Sequence, residues 1–223
     1  MKKHTLLVAP MLAVAMAYSP LANADVIQTL GGKSFTNGQQ VGAGTFNMTN
    51  ASQPAPFNAF IGSDPNGPNF SASWTFNYGA IADTITGATL EIGLLDGDAA
   101  APGNQVASFT IGSVDLTSLL NTVMEADPGL NSHEYWDTVM LPSSAFSLLA
   151  GGSPTVSLTL QGPGLGVLNP PTTLFNGAAL DFSTITINTA TAVPGPIAGA
   201  GLPGLILASG GLLGWWRRRQ KTV

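Results

Sequence analysis

The chain has 223 residues, with 27 Gly, 16 Pro and no Cys, and only 9% of its residues are charged, against about 25% in an average soluble domain. Six of the seven basic residues lie outside its middle, and Asp25–Ala192 holds one base, Lys33, against all twelve acids, a formal charge of −11. That balance excludes nucleic-acid binding by the middle, because neutralising phosphates takes clustered Lys and Arg.

Residues 1–24 read as a secretory signal peptide. Lys2, Lys3 and His4 supply the charged start and Leu6–Ala17 the short apolar run. Ala22 and Ala24 then put small side chains at the −3 and −1 positions, which predicts cleavage before Asp25 by signal peptidase. An exported chain has access to disulfides; without Cys, this one depends on its core or on a bound ion.

Residues 25–192 are long enough for one domain with a substantial core. Period-two alternation predicts strands with one buried face. Ser71–Tyr78 sets Trp74, Phe76 and Tyr78 on one face, and Thr84–Leu95 and Gln105–Ile111 flank a loop. Tyr135–Leu141 is a further strand, and Thr155–Gln161 is the clearest, with Val156, Leu158 and Leu160 on one side. In Ala178–Ile187 the parity breaks, Leu180 and Phe182 sharing one and Ile185 and Ile187 the other. A β-bulge at Ser183-Thr184 would return both pairs to the core.

Helix is minor. Leu116, Leu119, Leu120 and Val123 follow helical spacing behind a capping Asp115, and Ser143–Ala150 predicts a short helix closed by Gly151 in the left-handed conformation. Turn signals at Asp64–Pro68, Pro102–Asn104 and Gly162–Gly164 separate the strands. The expected fold is mainly β: an antiparallel β-sandwich or jelly-roll-like ectodomain with one or two short helices, plus a single C-terminal transmembrane helix.

Catalytic chemistry has little to stand on, and no catalytic residue is assigned. There is no G-x-S-x-G elbow, and His133 is the sole imidazole of the predicted mature region. His133-Glu134-Tyr135-Trp136-Asp137 has the outline of a zinc-protease helix, but Asp137 stands where the second His must be. A glycosidase needs two carboxyls at a set separation, which twelve acids supply by chance. Calcium is better motivated. Asp96-Gly97-Asp98 lies where a strand runs into a loop, and Asp181 from another strand is expected to complete the oxygen set. The competing reading of the same residues is an ordinary Asx turn in solvent. Tyr135 and Trp136 form the candidate stacking platform for a glycan, making a calcium-dependent carbohydrate-binding module the alternative function.

The segment 193–223 is a second address. Val193–Trp216 has 24 residues without a charge, about 36 Å as a helix against roughly 30 Å of hydrocarbon. Arg217, Arg218 and Arg219 follow directly and are expected to stay cytoplasmic, leaving the body outside the inner membrane. Pro203 and six glycines make it a poor permanent helix.

Val193-Pro194-Gly195-Pro196, an apolar Gly/Leu span over about 197–216 and the basic tail 217–223 resemble the PEP-CTERM sorting signal of Gram-negative bacteria. The sequence departs from that pattern at Gly195, which stands where the family has Glu. The resemblance implies processing near 193–196 by an exosortase-like transpeptidase, a host that makes exopolysaccharide, and a final place at the cell surface or in a biofilm matrix. Trp74–Tyr78, Ala88–Ile92, Asp96–Asp98 and Gln105–Phe109 further resemble the β-sandwich bodies of other proteins in that family. The function expected is that of an exported, non-enzymatic surface protein with exopolysaccharide as partner; an ordinary membrane-anchored periplasmic domain is the competing reading of the tail.

Overall fold

The computed structural model describes residues 25–166 and 172–190, together with Trp216. The predicted signal peptide, the sorting motif at 193–196 and nearly all of the apolar span and basic tail lie outside the described residues. Among the described residues no helix is long and apolar enough to cross a membrane.

Alternation of apolar and polar residues builds two four-stranded sheets that bury their apolar faces against each other, a β-sandwich. In the first, β1 (Val26–Gly31), β10 (Ala179–Ala190), β3 (Thr84–Leu95) and β6 (Glu134–Met140) lie side by side in that order. In the second the order is β2 (Ser71–Thr75), β7 (Thr155–Leu160), β4 (Val106–Ile111) and β5 (Val114–Asp115). A small pair, β8 (Gly164–Leu165) and β9 (Thr172–Thr173), stands apart, and every pairing is antiparallel. Leu90, Ile92 and Leu94 of β3 and Ile185 and Ile187 of β10 meet Val156, Leu158, Phe109 and Ile111 of the second sheet in one core.

Three short helices complete the body: α1 (Ala43–Thr49), α2 (Thr117–Met124) and α3 (Phe146–Ala150), the last entered through a 3-10 turn at Ser143–Ala145. Asp115 accepts hydrogen bonds from the Thr117 amide and hydroxyl, but it is not the expected cap: the N-cap of α2 is Leu116, which makes no side-chain cap hydrogen bond. The buried face of α2 is also rotated from the expected one. Leu116, Leu120 and Met124 are buried, whereas Leu119 is 42% exposed. Past α3 it is Gly152, not Gly151, that takes the left-handed conformation, at φ 81°.

Strand β1 and helix α1 belong to a stretch that the alternation left unassigned, and residues 32–62 explain why. Residues 32–50 lie against the outer face of the first sheet, where Phe35, Val41 and Phe46 bury a second small core with Leu95 and Ala179, and Phe57 returns to the main core against Trp74. A face expected to meet water is therefore covered.

That cover also relocates the bulge in β10. The extra residue is Asp181, since Leu180 pairs with Leu94 and Phe182 with Gly93, while Ser183 and Thr184 stay in register. Leu180 remains in the main core with Ile185 and Ile187. Phe182 turns to the outer face and meets Trp136 edge-on, with ring centroids 5.4 Å apart. The bulge sits at Asp181 because that residue works outside the ladder. Its carbonyl accepts from the Gly32 amide and its carboxylate from the incoming strand of the cover.

The two poles of the sandwich differ in consequence. Val26 at the start of β1 pairs with Ile187 near the end of β10, so the body begins and ends at one pole. At the other pole β3 ends, and β6 and β10 begin, with Leu95 opposite Glu134 and Ala179. The twelve residues of β10 separate the poles by about 40 Å.

Candidate functional site

The far pole gathers acid. Asp64, Asp96, Asp98, Glu134, Asp137 and Asp181 are all buried, half of the chain's twelve carboxyls. Lys33 does not neutralise them: it pairs with Glu91 at 3.0 Å and lies over the faces of Trp136 and Phe182. Buried carboxylates without a basic partner are rare, because desolvation of an ion costs several kcal/mol unless something compensates.

Three groupings answer that cost differently. Asp181 is satisfied by donors of the cover. Its Oδ2 accepts from the amides of Ser34 (2.7 Å) and Phe35 (3.3 Å), and its Oδ1 from Asn50 Nδ2 (2.8 Å). Asn50 is in turn fixed by the Ser34 hydroxyl, which donates to its Oδ1.

Glu134 has no such partner. It is fully buried beside Gly93 and Phe182, and among the described residues neither carboxyl oxygen has a well-placed donor, the nearby Trp136 indole opposing the burial only weakly. Burial, then the charges of Asp181 and Asp137, push its pKa up to about 9. Asp137, three residues on and on the opposite face of β6, is pushed up to about 7 by burial and by Asp127 against it. Burial raises Asp127 as well.

The third grouping surrounds the end of β3. Asp96 and Asp98 adopt left-handed conformations, at φ 65° and 55°, on either side of Gly97. The Ser132 amide donates to Asp96 Oδ1, and the Leu165 amide to Asp98 Oδ2 at 2.6 Å. Asp64 joins them from the loop before β2, its Oδ1 accepting from the Gly177 amide at 2.6 Å. Burial raises all three; Asp98 reaches about 9, with the Asp96 and Asp64 charges adding to it, and Asp64 about 6. A pocket beside them is lined by Leu94, Asp98, Met124, Asp127, Tyr135 and Asp137.

No protein-family model matches the chain, and no curated protein matches it either. The site is therefore read from its own chemistry.

Of the expected calcium ligands, Asp96 and Asp98 are brought together, while Asp181 serves the cover instead and Asp64 stands in the place expected of it. Among the described residues no three Asp, Glu or His side chains form a ready-made metal cluster. Tyr135 and Trp136 do not make one stacking platform, because successive strand residues point to opposite faces. Tyr135 is buried and stacks on His133 at 6.3 Å, whereas Trp136 packs on Phe182 beneath Lys33. The strongly exposed large apolar side chains of the body are Ile27, Met48, Leu119, Leu130, Met140 and Leu174, none of them aromatic. His133 is held by its Nδ1 against the Asn131 carbonyl at 2.8 Å.

Asp64, Asn176, Glu134 and Asn50 went unrecognised as site residues in the sequence. Only Asp64 carried a signal, as the first residue of the turn Asp64-Pro65-Asn66-Gly67-Pro68, where Asp commonly bonds backbone amides.

Proposed function

We propose that this protein is an exported, non-enzymatic surface or matrix protein, delivered through its leader and sorted through the segment 193–223. The observation that carries the reading is the arrangement of the poles. The body is entered and left at one pole, at Val26 and Ala190, so a leash there presents the acidic pole about 40 Å outward. The leader at 1–24 and the apolar span with Arg217–Arg219 bracket this one sandwich.

The strand orders β1-β10-β3-β6 and β2-β7-β4-β5 support reading the sandwich as a jelly roll, a scaffold used by capsid, lectin and cupin domains. That likeness is one of scaffold and carries no activity of its own. The engaged state of His133 and the lack of a shared aromatic surface favour a structural role over hydrolysis or glycan stacking. Exopolysaccharide remains the proposed setting, through the sorting signal that Val193-Pro194-Gly195-Pro196 resembles.

Replacing Pro194 and Pro196 with Ala in the native host tests the sorting step. The variant is expected to accumulate in the membrane fraction while the unaltered protein reaches the cell exterior. An unchanged distribution would overturn processing at this motif.

A further inference from the structure

Asn176 adds an observation that the acids do not. It is fully buried, and its Nδ2 donates to the Gly97 carbonyl at 3.1 Å, which pins the amide against the middle residue of Asp96-Gly97-Asp98. Its backbone is fixed on both sides, the amide donating to Asn69 Oδ1 and the carbonyl accepting from Phe70. The Oδ1 of this immobilised amide has no donor. Asp98, itself 1% exposed, has no donor at Oδ1 other than a proton shared with Asp96. The next residue, Gly177, holds Asp64 through its backbone amide, so residues 176 and 177 touch both Asp64 and the middle of Asp96-Gly97-Asp98.

Buried acceptors without donors are exceptional in folded proteins and call for a partner outside the chain. We propose that Asp64, Asp96, Asp98 and Asn176 form a calcium site, with carboxylate and amide oxygens as ligands and nearby carbonyls completing the shell. Every donor atom is a hard oxygen, which excludes the soft metals. Calcium accepts an irregular set of six to eight such oxygens, whereas magnesium demands a near-octahedral set and keeps most of its water. The depth of Asp98 and Asn176 favours the ion that dehydrates readily. A buried water would satisfy Asn176 but leave the mutual repulsion of Asp64, Asp96 and Asp98 without a counter-charge among the described residues. This inference does not depend on how the chain is sorted.

The ion would bind the folded state alone, so its affinity adds to stability by mass action. The test uses the full chain, purified in detergent and freed of metal by chelation. Calcium chloride at neutral pH is expected to raise the melting temperature and to give a one-site binding isotherm. Magnesium is expected to bind at least tenfold more weakly.

Asp98→Asn removes a ligand charge and also a buried repulsion, so the metal-free variant is expected to fold and to lose the calcium response. Asn176→Ala keeps every carboxylate and is expected to weaken binding at least tenfold. No binding by the unaltered chain at 10-fold millimolar excess, an equal response to magnesium, or an undiminished calcium response in both variants would each overturn the site.

Discussion

In metal-free buffer the protein is expected to lose stability as the pH rises from about 5 to about 9, the reverse of ordinary acid denaturation. Folding moves Glu134 from 4.5 to about 9 and Asp137 from 3.8 to about 7. Between the unfolded and folded values the native chain holds protons that the unfolded chain has released, so unfolding becomes easier with each step in pH. The stability that depends on those protons is fully present below about pH 4, begins to fall once the unfolded carboxyls ionise, and is lost by about pH 9.

Glu134→Gln keeps the shape of the protonated side chain and cannot ionise. Because a tenfold displacement of a protonation equilibrium amounts to about 1.4 kcal/mol, the variant is expected to be more stable at pH 8 by at most about 5 kcal/mol. It should be nearly neutral at pH 4.5. Urea denaturation across that range reads the effect. A variant no more stable than the unaltered protein at pH 8 would show that something neutralises Glu134 without a proton.

The second large effect is expected at Asp181. Asp181→Ala removes one acceptor pair and leaves the Ser34 and Phe35 amides and the Asn50 side chain unsatisfied under the cover. Stranding buried donors of this kind costs about 3–5 kcal/mol when the lost acceptor is charged. The loss should be felt first where the cover meets the sheet, around Phe35, Val41 and Phe46. Hydrogen exchange is expected to quicken in α1 and in residues 32–36 while β3 and β7 stay protected. A loss below about 1 kcal/mol, or uniform deprotection of both sheets, would contradict the role assigned to Asp181.

The strands of the two sheets were largely legible because one face of each is buried and alternation reports it. Thr84–Leu95 and β3 coincide, and the core residues Val156, Leu158 and Leu160 are those the alternation selects. What escaped was the second layer. Glu134, Trp136 and Thr138 alternate as a solvent face should, yet Glu134 is buried where Gly38 and Gln39 pair with its backbone. The covering segment carries few alternating apolar residues, and its hold on the sheet comes from the small second core, from backbone pairing with residues 132–134 and from hydrogen bonds to Asp181, none of which leaves a periodic trace.

The same cause accounts for the misplaced bulge. Parity shows that Leu180 and Ile185 differ in phase but not which residue between them is extra. The candidate site was half legible. Asp96 and Asp98 are neighbours in sequence, whereas Asp64 and Asn176 reach them only through the fold.

Export followed by processing near 193–196 is the central proposal for this protein. The measurement that addresses it directly is the intact mass of the protein recovered from its native host, taken separately from membrane, periplasmic and extracellular material. An extracellular chain beginning at Asp25 and ending within 193–196 is the predicted result. A chain found only in membranes and still ending at Val223 would contradict it, and would make the acidic sandwich a permanently anchored periplasmic domain.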